Sequence, residues 1–275
     1  MALHSAASCS DKVLAPEPFS QVIAGLAQTG FSHIHFDQLR RLPDLPDDRQ
    51  ITAWRKDLDH HGLAVLDVHG CRQGGLHHVD PDLRTSAITD WQRQLEITHR
   101  LGGTALTCHV PTTELDDGLT TRFLDALATL EPCARDLGIC LALENHYRAD
   151  VDHAILSAAY QRFDPDFIGL TLDTGHGMLS GTSDWLLSTC CQRLAALHLN
   201  DNDGQRDHHW IPFAADGIVP WDRVAAVIAA SPYRGPIQLE IWRNPACHPD
   251  RNGFLADAYA ATCRLTEMVE GLRSA

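Results

Sequence analysis

Four consecutive apolar runs of the sequence each end in a side chain that can bind a metal. The four residues are two glutamates, an aspartate and a histidine: Glu144, Asp173, His198 and Glu240. Equivalent ends of successive parallel strands lie side by side in a barrel, so these side chains are expected to converge. Like charges a few ångströms apart raise each other's pKa, which makes such a cluster costly without a cation. The spacing therefore predicts one divalent metal ion; oxygen and nitrogen ligands suit Mn, Mg, Co, Zn or Fe(II) without choosing among them.

The strands and helices that must hold these residues alternate along the whole sequence. Short apolar runs rich in β-branched residues are separated by longer amphipathic stretches, which is typical of parallel strands joined by crossover helices. Eight such units in about 250 residues match a (β/α)8 TIM barrel. No Ser/Pro/Gly linker divides the chain, so we predict an α/β fold with a single domain over residues 1–275. The predicted strands are residues 3–7, 31–36, 63–69, 104–110, 139–146, 168–173, 194–201 and 237–242.

A doubly wound open sheet is the structural alternative to the barrel. Such sheets bind phosphate groups at a glycine-rich turn after the first strand. Residues 8–12, which follow the first predicted strand, contain no glycine. Four predicted helices end at a glycine that precedes the next strand, which favours the repeated strand–helix unit: Gly30, Gly62, Gly102 and Gly138.

The charge of the chain argues against polyanionic partners. Its 275 residues include 36 acidic side chains and 22 Lys and Arg, for a net charge of −14. A negative surface repels nucleic acids and anionic membranes, and no basic run interrupts it. We therefore expect neither a nucleic acid nor a membrane as a partner.

The apolar pattern and the cysteines indicate a cellular location. No apolar stretch approaches the roughly 18 to 20 residues that span a bilayer. The first residues lack the basic and apolar regions of a secretory signal. The 9 cysteines form an odd set without a C-x-x-C pair, which is typical of reduced thiols. We expect a cytoplasmic protein, and the sequence leaves open whether it forms a homo-oligomer.

The motifs around the four metal-binding residues resemble those of a known superfamily. Residues 144–146 read Glu-Asn-His, residues 172–176 Leu-Asp-Thr-Gly-His, residues 198–204 His-Leu-Asn-Asp-Asn-Asp-Gly, and residues 239–240 Leu-Glu. They are similar to motifs of the xylose isomerase-like TIM-barrel superfamily, in its sugar phosphate isomerase/epimerase branch. The resemblance spans essentially the whole chain and implies that the four residues bind one divalent metal, while His176 contacts the substrate.

The resemblance also implies a reaction. In the ketose 3-epimerases of this superfamily two glutamates exchange the substrate proton from opposite faces, a role that Glu144 and Glu240 would inherit. Removing a proton next to a carbonyl leaves an enediolate, and a metal that bridges the neighbouring oxygens stabilises its charge. We therefore expect a metal-dependent isomerase or epimerase of carbohydrate metabolism, acting on a small sugar, ketose or polyol derivative.

Further residues are expected to contact the substrate at the mouth of the barrel. His69 and His109 end the third and fourth predicted strands, and the indole of a tryptophan can stack on a sugar ring. Relatives also keep an Arg-Asp-x-His sequence like that of residues 206–209. The expected substrate-binding residues are His69, His109, His176, Arg206, His209 and Trp242.

Two other activities are known on this scaffold. A dehydratase of the inosose or dehydroshikimate type would form the same enolate and then lose water. The apurinic endonucleases bind three zinc ions, and their ligands are similar to His69, His109, His176 and the Asp-x-His of residues 207–209. The charge of −14, the lack of a basic loop and the sequence Glu-Asn-His-Tyr-Arg at 144–148 argue against a nuclease.

One loop departs from the pattern of the superfamily. Relatives commonly carry Pro-Gly-x-Gly before an aspartate and an aromatic residue, whereas residues 212–217 read Pro-Phe-Ala-Ala-Asp-Gly. This loop usually borders the substrate, so the substrate of no single relative can be transferred to this chain.

Overall fold

A computed structural model describes residues 6–71 and 75–274, and eight parallel strands form one barrel within it. The first seven strands pair in sequence order, and the eighth pairs with the first. A parallel bridge between Leu199 and Leu239 closes the remaining gap. The predicted single (β/α)8 barrel is confirmed. The strands are β1 (Ala7–Ser10), β2 (His33–Phe36), β3 (Ala64–His69), β4 (Ala105–His109), β5 (Cys140–Glu144), β6 (Ile168–Asp173), β7 (Leu194–His198) and β8 (Ile237–Leu239).

The first strand lies later in the sequence than predicted. Most of the predicted strand, residues 3–7, falls outside the described residues, and the described strand β1 runs from Ala7 to Ser10. The prediction was wrong because it followed apolar residues, whereas β1 carries serines that face a polar interior, such as Ser8. Lys12 lies just beyond the carboxyl end of β1.

Helices surround the barrel, and the apolar core lies between them and the strands. Fully buried side chains such as Leu26, Trp91 and Phe123 come from three of these helices. At Gly62 and Gly138 the predicted helix ends are confirmed: both have a φ of 66°, and no neighbour would crowd a Cβ atom there, so the backbone angle requires glycine. No helix in the described part of the chain is long and apolar enough to cross a membrane. The helices are α1 (Phe19–Thr29), α2 (Asp48–His61), α3 (Pro81–Leu101), α4 (Leu119–Leu137), α5 (Ala149–Arg162), α6 (Thr174–Ser180), α7 (Ser183–Trp185), α8 (Trp221–Ala230) and α9 (Arg251–Ser274).

The inside of the barrel contains a network of buried polar side chains. Asp67 accepts hydrogen bonds from Thr107 Oγ1 at 2.9 Å and from Gln238 Nε2 at 2.8 Å. Gln238 also donates to the carbonyl of Leu197 at 2.9 Å and accepts from Ser8 Oγ at 2.9 Å. These bonds connect β1, β3, β4, β7 and β8 beneath the strand ends that carry the predicted metal-binding residues.

Candidate active site

The four residues expected to bind a metal meet at the carboxyl end of the barrel. Three of them end β5, β6 and β7, and the fourth follows β8 directly. One ligand atom from each lies within 4.8 Å of the others, and all four side chains are buried. The structure therefore brings together the set that the spacing predicted: Glu144, Asp173, His198 and Glu240.

Asp173 is held in place by amide groups on both sides. The side chain of Asn145 donates to the Asp173 carbonyl at 2.9 Å and accepts from the Asp173 N–H at 3.0 Å. Asn200 Nδ2 lies 3.1 and 3.2 Å from the two carboxylate oxygens of Asp173. Asp173 Oδ1 also accepts from the N–H of His176 at 2.8 Å and so caps helix α6. These contacts fix the carboxylate before any ligand binds.

His198 lies between carboxylates on both of its ring nitrogens. Its Nδ1 atom is 2.9 Å from Glu144 Oε1 and 3.2 Å from Glu240 Oε2, and its Nε2 atom is 3.3 Å from Asp67 Oδ2. Although burial acts against it, Glu144 and Glu240 raise the pKa of His198 well above its ordinary value. An imidazole in this position must carry two protons or present one nitrogen to a cation. If Nε2 donates to Asp67, Nδ1 is the nitrogen free to bind a metal.

The charges of the carboxylates are balanced unequally. Burial acts to raise the pKa of Glu144, but the charges of His109 and His198 outweigh it and lower that pKa well below its ordinary value. Burial is likewise outweighed at Glu240, whose pKa is lowered, chiefly by His198. Burial raises the pKa of Asp173 to about 6, and the charges of Glu144 and Glu240 act in the same direction. The histidines therefore do not fully neutralise the negative charge of the cluster.

The donor set of this cluster fits a divalent cation. It combines three carboxylates with one imidazole, the mixture of oxygen and nitrogen ligands that such ions accept. Glu144 Oε2 is buried and forms no hydrogen bond with any described residue. His109 Nε2 and His69 Nε2 lie 2.8 and 3.3 Å from this oxygen, without the alignment of a hydrogen bond. A buried carboxylate oxygen without a hydrogen bond is a natural ligand for a bound cation.

His69 is a neutral histidine beside the cluster. Its Nδ1 atom lies 3.0 Å from the carbonyl of Gly70 and donates to it, which leaves Nε2 as an acceptor. Arg40 Nη1 lies 3.0 Å from that Nε2 atom. Burial lowers the pKa of His69 to about 4, and the charge of Arg40 acts in the same direction. His69 is therefore suited to accept hydrogen bonds at the mouth.

A second group of possible ligands lies nearer the mouth, formed by His176, Asp207 and His209. Asp207 Oδ2 is 2.9 Å from His209 Nε2 and 3.6 Å from His176 Nε2, and it accepts from the hydroxyl of Tyr147 at 2.7 Å. Burial acts against the charge of His176, but Asp173 and Asp207 raise its pKa to about 10. Without a cation, this group is stable as a carboxylate paired with protonated histidines.

Five of the six predicted substrate-binding residues lie at the mouth, and one does not. The indole of Trp242 stacks on the imidazole of His209, with 3.5 Å between ring centroids and 27° between planes. Arg206 is exposed and lines neither of the two cavities described below, and its N–H donates to Asp203 Oδ1 within the loop at 3.1 Å. The structure therefore does not support the predicted role of Arg206. The residues at the mouth are His69, His109, His176, His209 and Trp242.

The sequence analysis missed several polar residues around the site. Lys12 Nζ lies 4.4 Å from the centre of the Trp242 ring, and Arg40 contacts His69. Lys12 is one of only two lysines in the chain, which was a usable signal. Asp67 interrupts an otherwise apolar stretch of β3, and such a buried charge was a usable signal of a polar interior.

Two adjoining cavities open at the mouth. A narrow pocket of about 80 Å³ is lined by Glu240 and by residues around it, including Lys12 and Tyr147. A second cavity of about 700 Å³ lies beside it, under residues 207–216. Asp207 and Trp242 line both.

The sequence matches known proteins along most of its length. The family described as xylose isomerase-like TIM barrel matches residues 23–261. An uncharacterised protein of Sinorhizobium fredii, y4fM, is 25% identical over 283 residues, which cover 90% of this chain and 88% of that protein. The C-glycoside deglycosidase alpha subunit of Arthrobacter globiformis is 30% identical over 196 residues, or 68% of this chain and 48% of that subunit.

Solved structures share the fold at lower sequence identity. The IolI protein with a bound zinc atom superposes with a TM-score of 0.77 at 15% identity, covering 95% of this chain and 98% of that one. The D-psicose 3-epimerase of Clostridium cellulolyticum, solved with D-tagatose, superposes with a TM-score of 0.75 at 16% identity, covering 96% and 99%.

Proposed function

Since this chain belongs to the xylose isomerase-like TIM-barrel family, we propose that it is a divalent-metal-dependent isomerase or epimerase of a small sugar, ketose or polyol derivative. The reaction would begin with removal of a proton from a carbon next to a carbonyl. The observation that carries the proposal is the buried convergence of Glu144, Asp173, His198 and Glu240 at four successive strand ends. A divalent cation, when bound to these four, would supply a Lewis acid for the carbonyl and the adjacent hydroxyl oxygen.

The two glutamates have surroundings that suit different roles. Glu240 lines the narrow pocket and so can reach a substrate, whereas Glu144 is fully buried and has three imidazoles within 3.3 Å, those of His69, His109 and His198. Different surroundings separate the proton affinities of paired carboxylates, which acid–base catalysis requires. We assign to Glu240 the removal of the proton, and the resemblance to the ketose 3-epimerases assigns its return from the opposite face to Glu144.

Other residues of the pocket would bind and orient the substrate. Lys12, Arg40 and Tyr147 offer hydrogen-bond donors, and the carboxylate of Asp207 offers acceptors. The indole of Trp242, already packed on His209, offers an apolar face to a sugar ring. The D-psicose 3-epimerase and the zinc-containing IolI protein, which share this fold, are the comparisons in keeping with such chemistry.

An elimination is the second candidate function, and the deglycosidase relative favours it. The first step is the same: a glutamate takes the proton next to a sugar carbonyl. A carbon–carbon double bond then forms while the substituent on the next carbon departs with its bonding electron pair and collects a proton. Loss of water is the dehydratase case, and loss of an aglycone is the deglycosidase case.

Cleavage of DNA by a nuclease of the three-zinc type is the activity that must be distinguished from the proposed function. The ligand types for two further ions lie close together, in the groups His69–His109–Glu144 and His176–Asp207–His209. The net charge of −14 opposes the approach of DNA. We therefore propose that the partner is a small neutral sugar derivative and that nucleic acid is not bound.

Proton exchange with deuterated water tests the proposal. The protein, loaded in turn with Mn²⁺, Co²⁺, Zn²⁺ and Mg²⁺, is incubated with ketoses and cyclitol ketones in D2O, and carbon-bound deuterium is measured by mass spectrometry. Deuterium at the carbon next to the carbonyl, lost after chelation and restored by metal, supports an isomerase or epimerase. Release of an enone chromophore supports elimination instead. Cleavage of abasic DNA without exchange on any sugar would contradict both.

A further inference from the structure

The larger cavity at the mouth has an aromatic lining. Its volume of about 700 Å³ lies within the range of pockets that bind drug-sized ligands, roughly 300 to 1,000 Å³. Its walls include Trp210, Phe213, Trp242 and Phe254, together with the apolar side chain of Ile211. Flat aromatic walls of this kind bind a flat apolar group by stacking and by excluding water.

This cavity adjoins the pocket over Glu240. Asp207 and Trp242 line both spaces, so a ligand bound at the mouth can contact the two together. The pocket over Glu240 has a volume of only about 80 Å³, well below the range for pockets that enclose a whole ligand. A substrate whose reacting carbon lies at Glu240 must therefore place the rest of its volume elsewhere.

The charge of the lining restricts what the cavity accepts. Asp207, Asp216 and Asp257 line it, and no lysine or arginine is among its described lining residues. Lys12 and Arg40 line the narrow pocket instead. Asp207 is paired with His209, but the exposed carboxylates of Asp216 and Asp257 repel a phosphate or carboxylate group. The group that fits this cavity is neutral.

The loop that separates the two spaces is held in a fixed, uncommon conformation. Two of its residues have positive φ without being glycine, His209 at 49° and Phe213 at 69°. His209 contacts the carboxylate of Asp207 on the side of the narrow pocket. Phe213 lines the cavity, with Arg264 packed 3.7 Å from its ring centre. Backbone strain of this kind is concentrated at sites of function, and here it positions one residue in the narrow pocket and one in the larger cavity.

We propose that this cavity binds the flat, neutral aromatic aglycone of a glycoside whose sugar ring occupies the pocket over Glu240. The substrate class is then an aryl glycoside whose sugar ring carries a ketone, since the proton removal needs a neighbouring carbonyl, and the inference rests on the proposed function for the position of the sugar. The relative named C-glycoside deglycosidase acts, by its name, on glycosides with a carbon-linked aglycone.

Isothermal titration calorimetry of the metal-loaded full chain tests this proposal with a matched pair of probes. Apigenin 8-C-glucoside carries the aromatic group, and 1,5-anhydro-D-glucitol is the same sugar with hydrogen in its place. We expect the glucoside to bind at least about tenfold more tightly, the effect of burying one aromatic group.

Three variants localise the effect. Ala214→Trp fills the cavity and should reduce the preference to about twofold or less, and Trp210→Ala should weaken it by removing a wall. Ala226→Trp places the same indole on the exposed face of α8 and should leave the preference unchanged. Trp210→Ala decides the question if Ala214→Trp does not fold.

The outcomes separate the cavity from the reaction. A glucoside that binds no more tightly than the anhydro sugar, or a preference that survives both cavity variants, would overturn the aglycone site. Proton exchange on ketoses without a preference for the glucoside would leave the proposed function standing alone. A preference for the glucoside without proton exchange on any sugar would support the aglycone site and contradict the proposed function.

Discussion

The carboxylate of Asp67 contacts the Nε2 atom of His198 at 3.3 Å, on the side of the imidazole opposite the two glutamates. The same oxygen lies 2.9 Å from His35 Nδ1. A carboxylate behind a metal-binding histidine fixes which nitrogen carries the proton and how the ring is oriented. Asp67 is thus a positioning residue for the proposed metal site, although it has no direct path to a substrate.

Asp67→Asn should lower metal affinity by about 10- to 100-fold, because an amide cannot hold His198 Nε2–H as an ionised carboxylate does. Titration of Co²⁺ against a chelating dye measures the affinity, and the visible spectrum of bound Co²⁺ reports the change in ligand geometry. Thr98→Val is the matched control, since it removes a buried hydrogen bond within α3 and no contact of Asp67 or His198. Equal losses of affinity in both variants would show that Asp67 acts only through stability.

Glu240→Gln should reduce proton exchange by about 10²-fold or more, because a general base contributes roughly 10² to 10⁴ and glutamine cannot accept the proton. Deuterium incorporation per unit time measures the rate, and circular dichroism checks the fold. Glu267→Gln, at an exposed position of α9, should exchange at the wild-type rate. Wild-type exchange in Glu240→Gln would refute the role assigned to this residue.

Metal analysis should give about one divalent ion per chain, as one catalytic site implies. Chelation should lower the melting temperature by several degrees, since a ligand at 100 times its Kd adds about 2.7 kcal/mol of stability and a domain of this size shifts by about 2 to 4 °C per kcal/mol. Asp207→Asn should leave the metal content at about one ion. Three ions in the wild type, falling on this substitution, would identify a multinuclear site instead.

The stability of the protein should depend on Asp152 between about pH 4 and pH 7. Burial raises the pKa of Asp152 to about 7, against about 3.9 in an unfolded chain. In that interval the folded state binds more protons than the unfolded state, so stability falls as the pH rises. The slope is at most about 1.4 kcal/mol per pH unit.

Asp152→Asn should flatten that part of the pH profile, because an amide does not titrate. The amide oxygen can still accept from the His146 N–H, which lies 3.0 Å from Asp152 Oδ1. Urea unfolding at several pH values measures the slope. Asp150→Asn is the control: that exposed carboxylate has a lowered pKa, through its hydrogen bond from Arg148, and should not remove the slope. An unchanged profile in Asp152→Asn would show that another group titrates.

The sequence predicts what repeats with the strand–helix unit and misses what depends on loops and distant pairs. Glu144, Asp173 and His198 were located because each ends a strand that its apolar residues define. β1 was misplaced because its serines face polar partners contributed by other strands. Closeness to a strand end also suggested Arg206, but the path of its loop decides where it lies.

The pair of Asp67 and His198 shows a second limit. The two residues are 131 positions apart, and the sequence around either residue does not indicate that it contacts the other. His35 alternates with His33 along β2, which does not distinguish a core histidine from one that contacts a functional carboxylate. Only the closed barrel brings such residues together, so the hydrogen-bonded layer beneath the site could not be read from spacing.

The side chain of Gln238 connects closure of the barrel with the metal-binding residues. Its amide connects the last strand to Ser8 on the first strand and to Asp67, which in turn contacts His198. Closure of the barrel at β1 and β8 and alignment of the metal-binding imidazole therefore form one cooperative unit. By thermodynamic linkage, a cation bound at one end of the chain of contacts makes opening at the other end less favourable. Hydrogen exchange of the β1 and β8 amides would record occupancy of a site that neither strand's backbone touches.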